Sequence, residues 1–241
     1  MTGEIQNKGR IYLIPTLIAE NTLYEVLPKK TLELCNSINY YLVENARSAR
    51  RFLKKLGIHQ PIDSLAIETL DKHTSPLSIE KLIQPIIDGV DCGIMSEAGC
   101  PGIADPGAMV VSRAHKLGIK VVPIVGPSSI LLAQMASGLN GQNFAFIGYL
   151  PINKTARINT IKNIEITSRK RGQTQIFMET PYRNQGLFND LIKTCHSETY
   201  ICIACEITGA DEYIKTRRVK DWKKHIIDIH NKPSLFLLLA S

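Results

Sequence analysis

The chain has 241 residues, 44% of them hydrophobic and 21% charged, the balance of a globular protein able to bury a core without disulfide or metal staples. Lys and Arg outnumber Asp and Glu by 29 to 22, and the resulting net charge of +7 suits an anionic partner such as nucleic acid. The opening MTGEIQNKGR carries no apolar leader segment and the longest apolar runs are strand-sized, so a soluble, cytoplasmic protein that avoids membranes is expected.

In chain order, a strand is predicted at residues 11–15, then a loop and a short helix through residues 21–34. A second strand follows at 38–43, a helix rich in Arg and Lys at 46–56, and a weak strand at 64–67. Residues 72–76 read as a polar loop, 78–88 as a helix blemished by Pro85, and 92–95 as a short apolar strand. A Gly/Pro-rich loop at 96–107 leads into a helix at 108–117, stopped by Gly118, and a strand at 120–124. Strands alternating with helices in this way predict a parallel α/β sheet. The second half differs. Helices are predicted at 128–137, 157–166, 182–194 and 220–229, and strands at 143–148, 174–178, 200–206, 212–216 and 235–239. The short Gly-containing link at 208–211 reads as a hairpin, so the second sheet is expected to be mixed. A boundary near residue 125 gives an N-terminal α/β domain over 1–125 and a C-terminal one over 126–241.

Cys35, Cys92, Cys100, Cys195, Cys202 and Cys205 are scattered. Cys202 and Cys205 form a C-x-x-C inside the strand-like run ICIAC, where residues three apart face opposite ways and cannot share a metal. They read as buried apolar thiols in a reducing compartment, and no metal site is expected.

The loop Ser96-Glu97-Ala98-Gly99-Cys100-Pro101-Gly102-Ile103-Ala104-Asp105-Pro106-Gly107 is the most informative segment. It sits where an apolar strand ends and a helix begins, the place where open α/β sheets bind ligands. Connections of this kind run two to six residues, whereas this one has three glycines, two prolines and two carboxylates. The chain contains neither G-x-x-x-x-G-K-[ST] nor G-x-G-x-x-G, which argues against an NTPase, a dinucleotide enzyme and the common Rossmann-type methyltransferase.

SEAGCPGIADPG resembles the SDAGTPGISDPG signature of the ribosomal small-subunit methyltransferase I group (16S rRNA cytidine 2′-O-methyltransferases), within the tetrapyrrole (corrin/porphyrin) methylase superfamily. LIPTLIAE at 13–20 is similar to L-V-P-T-P-I-G-N, VENARSAR at 43–50 to A-E-D-T-R-x-T-R, and VPIVGPSS at 122–129 to V-P-x-P-G-P-S-A. FIGYLP at 146–151, ETPYR at 179–183 and ACEIT at 204–208 are similar to F-x-G-F-L-P, E-A-P-H-R and A-R-E-L-T, in the family's order. The resemblance implies two α/β domains, a homodimer, and S-adenosyl-L-methionine held in the cleft between the domains. It places Ser96, Glu97 and Cys100 against the cofactor's methionine part, with Ser128 and Ser129. Pro15 and Thr16 line the substrate side, and Met178 and Ala204 wall the adenosine pocket.

Several positions depart from the pattern. Glu97 stands for Asp, Ala19-Glu20 for Gly-Asn, Leu17 for Pro, Asn45-Ala46 for Asp-Thr and Tyr182 for His, and the chain stops soon after its last strand. These changes gather on the substrate side. Methyl transfer is an in-line displacement in which the protein chiefly positions two groups, and a ribose hydroxyl must also lose its proton. Glu44, Glu20 and Glu179 are candidate bases, as is His73, which matches a family histidine. Arg47 and Arg50, with Arg51 and Lys54, lie on a predicted helix suited to gripping phosphates. Arg169-Lys170-Arg171 and Arg217-Arg218-Val219-Lys220 read as solvated loop charge, and Trp222 and Tyr40-Tyr41 as packing. Three activities follow: 2′-O-methylation of a cytidine in the RNA of the small ribosomal subunit, C-methylation of a tetrapyrrole precursor, or cofactor binding without catalysis.

Overall fold

The computed structural model describes residues 7–240. Residues 1–6 of the polar opening, read above as leaderless, lie outside the described residues. The chain divides into two units, the first ending at Ser128 and the second beginning at Ser129.

The first unit contains β1 (Ile11–Leu13), α1 (Leu23–Val26), α2 (Lys29–Cys35), β2 (Tyr40–Val43), α3 (Ala46–Leu56), β3 (Ala66–Thr69), α4 (Pro76–Ile87), β4 (Cys92–Met95), α5 (Gly107–Lys116) and β5 (Val121–Pro123). All its strand pairs are parallel, in the order β3-β2-β4-β1-β5. Helices cover both faces, so β2 and β4 are buried throughout. Strand periodicity divides their side chains. Tyr40 and Leu42 pack with Ile83 of α4 and Val110 of α5, while Tyr41 and Val43 pack with Cys35 of α2 and Leu53 of α3. Both tyrosines are therefore core residues, as expected. The single helix predicted over 21–34 is two, because Pro28 stands between them as the N-cap of α2. α3 has the predicted bounds. Asn45 Oδ1 accepts from the amides of Arg47 and Ser48, and Gly57 closes the helix in the left-handed region.

The second unit contains α6 (Ser129–Ser137), β6 (Phe144–Tyr149), α7 (Lys154–Arg171), β7 (Thr174–Met178), α8 (Asn184–Thr194), β8 (Tyr200–Cys205), β9 (Tyr213–Arg218), α9 (Val219–Trp222) and β10 (Ser234–Leu239). Its order is β6-β7-β10-β8-β9, with β6 parallel to β7 and the remaining pairs antiparallel. The mixed sheet and the β8–β9 hairpin match the expectation. On one face Phe177, Ile203 and Phe236 pack with Ile161 of α7 and Leu191 of α8; on the other Ile176, Cys202 and Leu237 pack with Ala133 of α6. Cys205 belongs to the first of these clusters, so the two thiols of the C-x-x-C do point to opposite faces.

Three further expectations need correction. The helix predicted over 220–229 ends at Trp222. Beyond it Ile229 is buried and Ile227 packs on the core while Ile226 is exposed, an alternation that belongs to extended chain. α7 is longer than predicted, because Asn153 caps its start and Gly172 its end, and Arg169, Lys170 and Arg171 form its last turn rather than a loop. Arg217 and Arg218 are strand residues, paired with Ile201 and Tyr200. Arg218 donates to Glu198 at 2.7 Å and to the Tyr200 hydroxyl at 3.0 Å. Trp222 is packing, as expected: its indole N–H donates to the Ile201 carbonyl at 2.9 Å and its ring meets Phe188 edge-on.

Candidate functional site

The first sheet has its topological switch between β2 and β4. The chain leaves β2 towards β3 at one edge and leaves β4 towards β5 at the other, which opens a crevice at the carboxyl ends of these strands. The loops after β1, β2 and β4 meet there. The Thr16 amide donates to the Gly99 carbonyl at 2.9 Å, and its hydroxyl to the Ser96 carbonyl at 3.3 Å. The Glu97 amide donates to Glu44 Oε2 at 3.2 Å, and the Ser48 hydroxyl to Glu97 Oε1 at 3.4 Å. Gly99 has φ +74°, which L side chains rarely adopt, and a Cβ there would lie 3.4 Å from the Pro127 carbonyl oxygen. The Cys100 thiol donates to that same oxygen at 3.3 Å. Asp105 braces the rest of the loop, its two oxygens accepting from the amides of Gly102 at 2.8 Å and Gly107 at 2.6 Å. It is a scaffold residue.

Glu44, Glu97 and Asp105 thus collect negative charge at one point. Burial holds the Glu44 carboxyl above the usual carboxylate range; the Glu97 amide opposes this, and the charges of Glu97 and Asp105 add to it. Burial raises Asp105 as well, against its two amide bonds. Carboxylates that repel each other in this way fit a cationic ligand. One consequence is testable in the free protein. A group whose folded pKa is raised contributes stability below its unfolded pKa and loses it as pH rises through the folded value. Glu44→Gln, which keeps an acceptor for the Glu97 amide, is therefore expected to melt higher than wild type at neutral pH. The difference should close as the pH falls below the carboxylate range. A constant difference across a pH series of melting curves would show that the repulsion is absent.

The other residues expected in the site are distributed as follows. Pro15 and Thr16 are buried directly after β1, and Cys100 is half-buried in the β4–α5 loop. Arg47 is exposed in the first turn of α3, and its amide is one of the two that Asn45 caps. His73 is exposed in a turn beyond the edge strand β3, where its amide donates to Asp71 Oδ1 at 2.8 Å. Glu20 is exposed in the loop after β1. Ser128 closes the first unit and Ser129 opens α6 in the second. In the second unit Met178 and Ala204 stand in one row, for Leu235 of β10 pairs with both. Ala204 is completely buried there. Glu179, a candidate base, is committed elsewhere: its side chain is 1% exposed and its Oε1 accepts from Arg183 at 2.6 Å.

Two contributors escaped the sequence reading. Ser48 holds Glu97, and Lys55 joins Arg51 in the wall of a cavity beside the site. Their spacing from Arg51, three back and four on, was the available signal. Arg47-Arg50, the pair singled out by sequence, does not line that cavity.

No protein-family model matches the chain. It is 30% identical over 206 residues to the ribosomal RNA small subunit methyltransferase I of Pasteurella multocida, covering 86% of this chain and 69% of that one. The enzyme of the same name from Xylella fastidiosa is also 30% identical over 206 residues, covering 86% and 71%. That of Buchnera aphidicola subsp. Schizaphis graminum is 27% identical over 240 residues, covering 98% and 80%. Among solved structures, the methyltransferase CobJ superposes with a TM-score of 0.64 at 14% identity, covering 97% of this chain and 95% of that one. Diphthine synthase superposes with a TM-score of 0.66 at 16% identity, covering 95% and 89%. The two-sheet architecture is the tetrapyrrole-methylase fold that the sequence leads one to expect.

Proposed function

This chain belongs to the ribosomal RNA small subunit methyltransferase I family and is a methyltransferase, and from that premise we propose that it moves the methyl group of S-adenosylmethionine to a cytidine ribose 2′-hydroxyl in small-subunit ribosomal RNA. The observation that carries this reading is the meeting of Thr16, Glu44 and Glu97 at the switch point of the first sheet. S-adenosylmethionine supplies a methyl group on a cationic sulfur, and the Glu97 carboxylate beside Glu44, whose carboxyl burial holds above the usual range, fits that charge. Ser96, Glu97 and Cys100 hold the donor, and Pro15 and Thr16 border the acceptor. Ser128, Ser129, Met178 and Ala204 are assigned to the same ligand by family resemblance. Glu44 receives the ribose hydroxyl proton. Its Oε2 is oriented by the Glu97 amide, and its raised pKa brings it nearer the range where a base works at neutral pH. Arg47 and the other cations of α3 are assigned to phosphates, and His73 is a secondary candidate for proton transfer. The resemblance also supports a homodimer acting in the cytoplasm; among the described residues no helix is long and apolar enough to cross a membrane. The likeness to CobJ shows the fold and carries no acceptor.

The test is methyl incorporation into isolated small ribosomal subunits lacking the modification. One cytidine per subunit should become resistant to alkaline hydrolysis, since that cleavage needs a free 2′-hydroxyl. The apparent affinity should fall steeply, by about 10³-fold or more between 50 and 200 mM salt if six or more phosphates are contacted. Absence of incorporation at every salt concentration would rule the reading out.

A further inference from the structure

A cavity of about 270 Å³ opens beside the switch point, walled by three segments of the first unit. The loop after β1 supplies Thr16 and Glu20, the loop after β4 supplies Glu97, and one side of α3 supplies Ser48, Arg51, Phe52 and Lys55. The α3 residues recur at the three- and four-residue spacing of a single helix face. Two are tied in place: Ser48 to Glu97 at 3.4 Å, and Lys55, whose ammonium donates to Asn21 Oδ1 at 3.2 Å. Phe52 is rooted in the core and 9% exposed, so an aromatic edge and charges of both signs border one space.

That combination restricts the occupant. A bare phosphate would meet the carboxylates of Glu20 and Glu97 as well as the cations. A purely apolar ligand would leave four charges poorly solvated. The volume falls just below the roughly 300 Å³ at which sites for drug-sized ligands begin, which suits one planar ring and is too small for a macrocycle. A nucleobase has the required form, an apolar face with donors and acceptors on its edge, and it carries a phosphate nearby. Building on the RNA methylation reading, we propose that this cavity receives the base of a nucleotide turned out of the acceptor RNA. The ring lies against Phe52, Glu20 accepts from its exocyclic amine, and Arg51 and Lys55 hold the adjoining phosphate. Glu97 lines the same cavity and bonds Glu44, so a nucleotide seated here has its sugar next to the methyl-transfer site.

The arrangement makes position 20 a determinant of base choice. A carboxylate only accepts hydrogen bonds, so it favours the amine of cytosine over the carbonyl that uracil presents at the same place. Single-turnover methylation rates are to be compared on small subunits carrying cytidine or uridine at the acceptor position. Wild type should prefer cytidine by about 10- to 100-fold. Glu20→Gln, whose amide both donates and accepts, should bring the ratio near one while leaving the affinity for S-adenosylmethionine unchanged. Arg51→Ala should slow both substrates alike and reduce the salt slope by about one. Equal rates of wild type on the two subunits, or a ratio unaltered in Glu20→Gln, would overturn this inference alone. Wild-type protein that methylates neither subunit would overturn the RNA reading and this inference with it.

Discussion

Gly126→Ala is expected to lower the stability of the protein by about 3 kcal/mol and to weaken methyl-donor binding at least tenfold. A Cβ at position 126 would lie 2.1 Å from Pro15 Cγ and 2.3 Å from Pro15 Cβ, with Leu27 Cδ2 at 3.5 Å behind them. A proline ring has no rotamer by which to withdraw, so relief must come from the backbone. The strands on either side resist that movement. The Ile124 amide is bonded to the Leu13 carbonyl at 3.0 Å, and the Thr16 amide to the Gly99 carbonyl at 2.9 Å. Displacing Pro15 therefore displaces Thr16 and, through it, the β4–α5 loop. Gly57→Ala is the appropriate control. Gly57 has φ +79° and no neighbour within 4 Å of a built Cβ, so it should cost only the conformational penalty of about 1 kcal/mol. Urea unfolding of the two variants separates the effects, and equal losses would mean that the Pro15 contact yields without consequence.

Glu97→Ala should weaken S-adenosylmethionine binding by about tenfold or more with little change in stability. Glu97 is exposed; its carboxylate accepts from the Ser48 hydroxyl and its amide donates to Glu44. Removing its side chain leaves that amide bond intact, so the loop should keep its shape. What is lost, on the proposed function, is one carboxylate offered to the sulfonium. An attraction between unit charges about 4 Å apart near a protein surface is worth a few kcal/mol before solvent and salt reduce it, and the tenfold figure is the reduced value. Glu97→Asp shortens the side chain by one methylene and keeps the charge, so it should retain most of the affinity. If Glu97→Asp and Glu97→Ala bind equally well, charge at position 97 is irrelevant to the donor.

Local signals carried much of this architecture. α3 is legible to the residue, and the structure shows why: its caps, Asn45 at the start and Gly57 at the end, adjoin it in the chain. β4 was equally legible, as a short apolar run between polar segments. The departure at Asn45 also becomes intelligible. The position caps a helix, and Asn does that as well as Asp, so the missing carboxylate is no sign of lost chemistry. Where the reading failed, the cause was tertiary. Residues 223–229 contain a run of apolar and polar side chains compatible with a helix, and only packing of Ile227 and Ile229 on the second core selects extended chain. Arg217 and Arg218 looked like loop charge because their partners lie in β8 and in Glu198. The site itself was legible as motifs but not as geometry. Glu44 and Glu97 are 53 positions apart, and their bond exists only because β2 and β4 are neighbours in the sheet. Lys55 entered the cavity wall by the same route, unmarked in sequence among five basic residues of one helix.

Whether the loops after β1, β2 and β4 bind a cationic methyl donor is decided by calorimetric titration of S-adenosylmethionine into wild-type protein and Glu97→Ala. One site per chain is expected in the wild type and an affinity about tenfold lower in the variant, with unchanged circular dichroism. Equal affinity in the two proteins, or no binding by folded wild-type protein even with small ribosomal subunits present, would contradict this expectation.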